Sequence, residues 1–395
     1  MCVGPGHNEA KLDKPLAKRV QDIELMSEKN PSMTIQSGSS TAPAASKPLY
    51  AKLAKRLVIA IAIIFLGLVP SLVLYLITKE PATTWATGAF IAGVTAVLVG
   101  GVEIAVYTVI VMSLVTPVAI VAGGTPVAGT ALMVLMCLIV GRMSRFGLQR
   151  ATLLVPVFMA WMIVSPPFWG SQHVVDRNDS TFLAWMMLTF FIGAILPVIV
   201  LPFALRKMKM PVPRTHPRSE SVIYTLTITL LASGATFWVL NDSKQYAGAW
   251  LIATIMVLVQ VGDVGTVNRT IQRVIGTLLG MLVVWVIVLQ VHSLVVVYCV
   301  GIVFAVAAVT AKFSPHYWIY MSLITPAIVC FTAASSAQIA NLGEQRAQDT
   351  LIGAALVLLA SAITIGSANI QKRRGHAPTV ETPVVMGEPL AQSST

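Results

Sequence analysis

The sequence has very little charge. Charged residues make up 11% of its 395 residues, hydrophobic residues make up 56%, and the mean hydropathy is +0.80. A soluble domain carries about 25% charged residues. So few charges cannot cover the water-facing surface of a chain this long, which excludes a soluble protein. The composition predicts an integral membrane protein instead.

Residues that support catalysis or metal binding are also scarce. The four cysteines have no CxxC spacing, and three of them lie in apolar runs, which indicates buried, inert thiols. Six scattered histidines without an HExxH pair argue against a membrane enzyme. No GxxxxGK[ST] loop is present, which argues against transport powered by a nucleotide on this chain. We therefore expect no catalytic residue, no metal and no cofactor.

What the sequence does have is an excess of basic residues. Lys and Arg number 27 against 16 Asp and Glu, for a net charge of +11. These basic residues form short blocks between apolar runs and are not interleaved with aromatic residues, so they do not indicate a nucleic-acid partner. The blocks are typical of the cytoplasmic edges of a protein whose surroundings are the lipid bilayer.

Apolar runs long enough to cross a bilayer, roughly 20 residues each, recur along the chain. They predict an all-α polytopic membrane protein with about twelve transmembrane helices in two six-helix halves. The pairs 85–122 and 274–311 also fit helical hairpins that do not fully cross. The predicted spans are 57–77, 85–101, 104–122, 126–141, 150–167, 181–204, 221–240, 247–261, 274–291, 293–311, 317–335 and 347–370.

The spans and the composition divide the chain. Residues 1–50 and 372–395 are polar and are predicted to be disordered cytoplasmic tails. Residues 51–205 and 221–371 are the two membrane halves, joined by a basic cytoplasmic linker at 206–220. With twelve spans and a cytoplasmic N-terminus, only four of the 27 basic residues fall outside, namely Lys79, Arg177, Lys244 and Arg346. This asymmetry predicts that both termini are cytoplasmic.

The most specific motif is an echo of eight residues. RVIGTLLG at 273–280 and RAQDTLIG at 346–353 each open an apolar run and lie three predicted helices apart. An odd separation makes the two copies enter from opposite faces, which is typical of an inverted repeat with a binding site near the midplane. A second echo pairs MSLVTP at 112–117 with MSLITP at 321–326. Chance similarity among apolar helices is the alternative.

The charged residues of the first echo suggest an anion pathway. Arg269 and Arg273 share one helix face at a predicted helix start, where free N–H groups favour an anion. Arg346, Asp349 and neighbouring residues begin the last predicted helix in the same way. The alternative for Arg269 and Arg273 is that they are cytoplasmic-edge charges that contact lipid phosphates. Thr277, one turn after Arg273, completes the predicted pathway.

Small residues, prolines and acids complete the candidate set. The GxxxG pair Gly276 and Gly280, together with Gly353, predicts close helix packing. Pro117 and Pro326 predict kinks that free backbone carbonyls near a cavity, with a purely structural kink as the alternative. Acids are rare inside membranes, so each is a candidate to pair with an arginine or to carry a proton in a coupled carrier. The acids are Glu103, Asp263 and Asp349.

At these residues the chain resembles the fusaric acid resistance protein-like (FUSC) family, related to the aromatic acid exporters. The resemblance covers about 247–370 and rests on NRTIQRVIGTLLG at 268–280, YMSLITP at 320–326 and RAQDTLIG at 346–353. It implies proton-coupled export of small organic or aromatic acids across a bacterial inner membrane. It also implies a periplasmic adaptor subunit. The alternative is a passive organic-anion channel, since plant malate channels carry a similar R-x-x-G-T motif.

The chain departs from that family in one large respect. Many members carry a soluble cytoplasmic domain between or after the membrane halves, whereas only a short linker separates the halves here. We therefore expect the lipid bilayer and a small organic anion as partners, with a homo-oligomer as an open alternative to a monomer.

Overall fold

The computed structural model describes residues 49–169, 175–204, 215–242, 248–261, 263–291, 293–312, 316–332 and 336–373. Nearly all of the two predicted tails and most of the predicted linker lie outside these ranges. The regular secondary structure of the described residues is entirely helical, and the helices from residue 53 onward form one compact unit. Helices satisfy every backbone polar group within one segment, which apolar surroundings require.

The first half contains six α-helices and one short 3₁₀ turn among its described residues. Thr125 begins α3 as an N-cap whose hydroxyl accepts a hydrogen bond from the Ala128 N–H, with Pro126 at the first helical position. The elements are α1 (Leu49–Thr78), the 3₁₀ turn (Pro81–Thr84), α2 (Trp85–Ala122), α3 (Pro126–Ser144), α4 (Gln149–Thr152), α5 (Leu154–Val164) and α6 (Ser180–Ala204).

The second half contains six further helices within the described ranges. One large apolar core extends from α2 and α6 to residues of α7, α8 and α12, so it joins both halves. A smaller core holds Val284, Val297 and Val329 between three later helices. The elements are α7 (Arg218–Asn241), α8 (Ala249–Leu258), α9 (Asp263–Gln290), α10 (Leu294–Ala311), α11 (Tyr317–Thr332) and α12 (Ser336–Arg373).

Seven helices of the described chain are long and apolar enough to cross a membrane, and four shorter apolar helices accompany them. The prediction of an all-α polytopic membrane protein is confirmed, but seven such helices stand where about twelve were expected. One reason is length, since α8 has ten residues and spans about 15 Å. The long candidates are Ala60–Thr78, Pro81–Ala122, Pro126–Ser144, Ser180–Phe203, Arg218–Asn241, Thr266–Ile287 and Asn341–Thr364.

Helix α2 reverses direction at Gly101. A straight helix of its 38 residues would hold its ends about 57 Å apart. Instead both ends lie beside the end of α5: the Trp85 ring centroid is 5.9 Å from that of Trp161, and a Cβ at Gly123 would meet the carbonyl of Ile163. Gly101 has φ 78° and ψ −178°, a conformation that favours glycine. The predicted runs 85–101 and 104–122 therefore form the two arms of one hairpin.

Arg177 ties the ends of two helices together in the first half. Its Nη1 donates hydrogen bonds to the carbonyls of Ile120 (2.8 Å) and Ile163 (3.0 Å), and its Nη2 lies 3.5 Å from the carbonyl of Val164. These carbonyls end α2 and α5, where no intrahelical partner exists for them. Burial lowers the pKa of the Arg177 guanidinium from its ordinary value. The side chain acts as a shared cap for two helices.

Two helices of the second half begin about ten residues earlier than predicted. From the apolar runs, the spans are predicted to begin at residues 274 and 347. In the structure α9 begins at Asp263 and α12 begins at Ser336. The preceding segments are polar, so hydropathy excluded them. Several of their residues are nevertheless good helix formers, and the helix continues through them. This difference moves the echoed motif from the helix starts into the helix interiors.

Candidate functional site

The two copies of the echoed motif lie well inside antiparallel neighbouring helices. Arg273 is the eleventh residue of α9 and Arg346 the eleventh residue of α12, each about 15 Å from the helix start. Gly343 of α12 lies against Met281 and Val284 of α9, so the later part of α9 faces the earlier part of α12. The predicted position at helix starts, with free N–H groups, is therefore wrong.

The position of the arginines relative to the membrane also differs from the prediction. Arg269 and Arg273 were expected at the cytoplasmic edge and Arg346 outside. All three lie within candidate membrane spans, Thr266–Ile287 and Asn341–Thr364. Ionisable residues inside such spans are costly and point to function. We call Arg269, Arg273 and Arg346 the arginine cluster, because the first two contact the same residue, Tyr317. The last two contact Thr254 and Trp250, which lie one turn apart in α8.

Arg273 is 7% exposed and has only long hydrogen bonds. Its Nη1 donates to the Tyr317 hydroxyl and its Nη2 to the Thr254 hydroxyl, both at 3.4 Å. Strong N–H···O bonds are about 2.7–3.2 Å long, so both contacts are weak. The Nε atom is buried without a hydrogen-bond partner. The guanidinium thus has donors that its own protein leaves poorly used.

Arg346 is even more deeply buried, at 3% exposure. Its Cζ lies 4.0 Å from the ring centroid of Trp250, a cation–π contact, and its Nη1 has no hydrogen-bond partner. Trp250 in turn meets Trp161 of the first half edge to face, with centroids 4.6 Å apart. The aromatic wall behind Arg346 therefore includes a residue from each half.

Arg269 lies nearer the start of α9 and is half-buried. Its Cζ is 4.7 Å from the ring centroid of Tyr317. With the Gln260 amide oxygen facing Arg269, that oxygen accepts hydrogen bonds from the Arg269 Nε (3.3 Å) and Nη1. The Tyr317 ring therefore lies between two arginines, since its hydroxyl meets Arg273.

No carboxylate of the described residues forms an ion pair with the arginine cluster. Asp349, 8% exposed, instead receives a backbone hydrogen bond from Leu251 in the first turn of α8, and its Oδ2 has no partner. The free N–H groups and the dipole of a helix start favour an anion there. Glu103 is exposed on α2 in the other half. Asp263 begins α9, and its side chain lies outside the described residues.

The cluster has an unusual number of buried polar atoms without partners. Besides Arg273 Nε, Arg346 Nη1 and Asp349 Oδ2, the hydroxyl of Thr277 is unpartnered, and Thr277 is 1% exposed. Buried polar groups in proteins almost always find a partner, so each exception needs an explanation. All four of these atoms belong to the echoed motif, and two are guanidinium donors. The arrangement is suited to binding an acceptor-rich anion.

The motif glycines lie at close helix contacts. A Cβ at Gly276 would meet the Trp318 carbonyl and Met321 of α11, and one at Gly280 would lie 2.8 Å from the Thr325 Cβ. Gly353 lies against Thr254 of α8, where an added Cβ would be 3.0 Å from the Thr254 Cγ2. Through these contacts α11 packs against α9, and Tyr317 of α11 reaches Arg273. In the same way α8 packs against α12, and Thr254 of α8 also reaches Arg273.

The two prolines that were predicted to kink helices, Pro117 and Pro326, lie inside α2 and α11. The threonine before each donates to a carbonyl of its own helix: Thr116 to Met112 at 2.8 Å and Thr325 to Met321 at 2.9 Å. Pro326 packs against Gly280, since a Cβ there would lie 3.2 Å from its Cδ. The chain direction of α2 changes at Gly101 and not at Pro117.

Sequence reasoning missed Trp250, Thr254, Gln260 and Tyr317. A shared spacing was available: Trp250 and Thr254 in α8 correspond to Trp318 and Ser322 in α11, each four residues apart. In space, Thr254 meets Gly353 and Ser322 meets Gly280, which are the same position of the two motif copies. The contacts are thus related as an inverted repeat requires.

Comparison with known proteins supports the resemblance for the second half. Residues 229–360 match the family model described as fusaric acid resistance protein-like. This segment contains the three motifs on which the resemblance rests, so it is confirmed there, over about a third of the chain. No curated protein and no solved structure matches the chain.

Proposed function

We propose that this multi-pass membrane protein, with its fusaric acid resistance protein-like segment, exports small organic or aromatic carboxylates. The observation that carries the proposal is the arginine cluster, in which two buried guanidinium groups and one half-buried group have no carboxylate partner among the described residues. A buried charge without a partner is costly. A carboxylate ligand would supply the missing negative charge and the missing acceptors for Arg273 Nε and Arg346 Nη1.

The aromatic side chains around the cluster support an aromatic acid as substrate. Tyr317 lies between Arg269 and Arg273, and Trp250 lies beneath Arg346. A pocket of this kind pairs a few polar groups that orient a ligand with rings that pack against its apolar part. In this proposal the arginines hold the carboxylate, and the rings contact the rest of the molecule.

We further propose twelve passes in two six-helix halves, in a bacterial inner membrane with both termini in the cytoplasm. The two arms of α2 and the four shorter helices support twelve passes, and the basic blocks between apolar runs support the orientation. A periplasmic adaptor subunit and a homo-oligomer belong to the same proposal. The arginines lie in helix interiors, which fits a site near the midplane.

Proton coupling is the proposed energy source, and Asp349 is the candidate carrier. Its Oδ2 is buried and unpartnered, so the carboxyl group has an atom free to take a proton. One observation favours the alternative of a passive anion channel: no described acid contacts the arginine cluster. A channel needs cationic side chains along the pathway but no titrating acid.

Efflux of labelled benzoate from cells that express the protein tests the proposal. We expect expression to lower benzoate accumulation and a protonophore to abolish this effect. Efflux that resists the protonophore and follows membrane voltage would replace the carrier by the channel. Arg273→Ala should reduce efflux at least tenfold, because it removes a charged donor. Arg218→Ala is the matched control, because Arg218 is exposed at the start of α7.

The same variants separate substrate binding from lipid anchoring. Arg273 is buried, which argues against its holding a lipid phosphate. Unchanged efflux in Arg273→Ala, with normal expression, would contradict the assignment of the arginine cluster as the carboxylate site. Equal losses in Arg218→Ala and Arg273→Ala would instead indicate a general effect of surface charge.

A further inference from the structure

A small cavity lies beside the arginine cluster, at the end of the bundle where α7 begins. Its volume is about 60 Å³, enough for a small number of water molecules but not for an aromatic acid. The walls come from α7, the break between α8 and α9, the first turn of α9, and α12. Its lining residues are Glu220, Ile223, Tyr224, Thr227, Val259, Gln260, Thr266, Val357, Ser361 and Thr364.

Gln260 stands between this cavity and the arginine cluster. It belongs to the cavity wall, and its amide oxygen accepts two hydrogen bonds from Arg269, from Nε and from Nη1. A carboxylate binds a guanidinium through the same pair of donors. The Gln260 oxygen therefore holds on Arg269 the position that one carboxylate oxygen of a ligand would take.

The backbone of Gln260 is held by hydrogen bonds, whereas its side chain lies in a break between helices where it can move. Helix α8 ends at Leu258, and residues 259–261 are not helical. The Gln260 N–H nevertheless donates to the Thr266 hydroxyl at 3.3 Å, and that hydroxyl lies 3.4 Å from the Gln260 carbonyl. Thr266 in the first turn of α9 thus holds the Gln260 backbone in place, while the Gln260 side chain reaches Arg269.

The cavity lining offers an anion no binding site. Its polar side chains are hydroxyls, one amide and the carboxylate of Glu220, and no basic side chain is among its described lining residues. The wall residue Gln260 instead reaches a cation outside the cavity, Arg269, through its amide oxygen.

We propose that Gln260 is a gate on the arginine cluster: a substrate carboxylate binds Arg269 by displacing the Gln260 amide oxygen, and the cavity on the other side of Gln260 holds water but no aromatic acid. The proposal rests on the proposed function, because it assumes that the cluster binds carboxylates. It assigns to Gln260 a role in specificity: a ligand must offer Arg269 a better acceptor than a neutral amide. Carboxylates do, since charge-assisted hydrogen bonds are roughly twice as strong as neutral ones.

Two substitutions at Gln260 should act in opposite directions on benzoate binding. Gln260→Glu keeps the shape of the side chain but offers Arg269 a permanent carboxylate, so benzoate should bind roughly tenfold more weakly. Gln260→Leu removes the competing acceptor, so benzoate should bind about threefold more tightly. Isothermal titration of the purified full chain in lipid nanodiscs measures both effects, with benzyl alcohol as the uncharged probe.

Gln348→Glu is the matched control, because Gln348 is exposed on α12 and the change adds the same charge. It should leave benzoate affinity within about twofold of the parent, a change within ordinary surface effects. Wild-type affinity in Gln260→Glu would overturn the gate, and since this variant is nearly isosteric it decides the matter even where Gln260→Leu fails to fold. Benzoate binding that needs Arg273 but is indifferent to Gln260 would overturn the gate alone. No benzoate binding by the parent protein would overturn the proposed function.

Discussion

The two halves of the molecule use arginine in opposite ways. In the first half, Arg177 donates to backbone carbonyls at the ends of α2 and α5, and its shortest contacts are 2.8 and 3.0 Å. In the second half, Arg273 reaches two hydroxyls at 3.4 Å, and Arg346 lies against a tryptophan ring. Arg273 and Arg346 each keep a donor nitrogen without a partner.

In the proposed function, the difference separates a structural cation from a binding cation. Carbonyls at helix ends have spare lone pairs and attract a cation, so Arg177 is satisfied by groups that the fold must place there anyway. Hydroxyls and rings solvate a guanidinium only in part, and the unused donors of Arg273 and Arg346 are the groups to which the proposal assigns the anion. The number of arginines in a membrane sequence does not distinguish these two kinds of cation, whereas their unused donors do.

The largest expected effect concerns the second half. Arg273→Met replaces a poorly partnered cation with an apolar side chain of similar length, so anion-free protein should unfold at a higher temperature than the parent. Benzoate should stabilise the parent protein against thermal unfolding and leave Arg273→Met unchanged, because the binding donor is gone. A lower unfolding temperature for Arg273→Met would show that Arg273 is as well satisfied as Arg177.

The first half should respond in the opposite sense. Arg177→Met leaves three helix-end carbonyls without their donor and should cost about 2–3 kcal/mol in free energy of unfolding. Benzoate binding per folded molecule should stay unchanged, because Arg177 lies at the ends of α2 and α5. Chemical denaturation together with titration of the folded fraction measures both quantities. If Arg177→Met lost affinity for benzoate at an unchanged free energy of unfolding, Arg177 would be a binding residue and not a structural one.

The next prediction concerns the close packing of α9 against α11 in the second half. Gly280→Ala should destabilise the protein by about 1–2 kcal/mol, because its Cβ would lie 2.8 Å from Thr325 and push α11 away from α9. Gly234→Ala is the control: a Cβ there meets nothing within 4 Å, so stability should rise by about 0.5–1 kcal/mol. Thermal unfolding of both variants checks the signs, and equal effects would contradict the close contact of α9 with α11.

The smallest expected effects concern two carboxylates at helix starts. Asp179 accepts a hydrogen bond from Thr181 N–H at the start of its own helix, α6, whereas Asp349 serves α8 from a neighbouring helix. Alanine at either position should cost about 1 kcal/mol, and asparagine less, because asparagine keeps an acceptor. The informative readout is transport: Asp349→Asn should remove the protonophore-sensitive part of benzoate efflux, and Asp179→Asn should not. If efflux by Asp349→Asn stayed sensitive to the protonophore, Asp349 would cap the start of α8 and would not carry the proton.

Composition and hydropathy were sufficient to predict an all-α membrane protein, and the echoed motif was sufficient to find Arg273 and Arg346. They did not locate the arginines along their helices. A hydropathy window ends where polar residues begin, but α9 and α12 continue through polar segments because those residues also favour helix. The prediction therefore placed Arg273 at a helix start when it is the eleventh residue.

The partners of the arginines were beyond sequence reasoning for a different reason. Trp250, Thr254 and Tyr317 reach the cluster only because small residues let α8 and α11 approach α12 and α9 closely. That pairing depends on three-dimensional packing, and the motif itself contains none of these partners. Asp349 was a candidate either to pair with an arginine or to carry a proton, and among the described residues it forms no ion pair with the arginine cluster. Its carboxylate instead accepts from the backbone at the start of α8.

The short helix α8 is held from two sides, which constrains how the molecule can change shape. Trp250 at its start touches Trp161 of the first half and Arg346 of the second, while Thr254 touches Gly353. If the halves rock against each other, α8 must either travel with α5 and part from Arg346, or stay with α12 and part from Trp161. In either case Trp250 loses one of its two aromatic or cationic partners, while the packing of α3 against α7 still joins the halves.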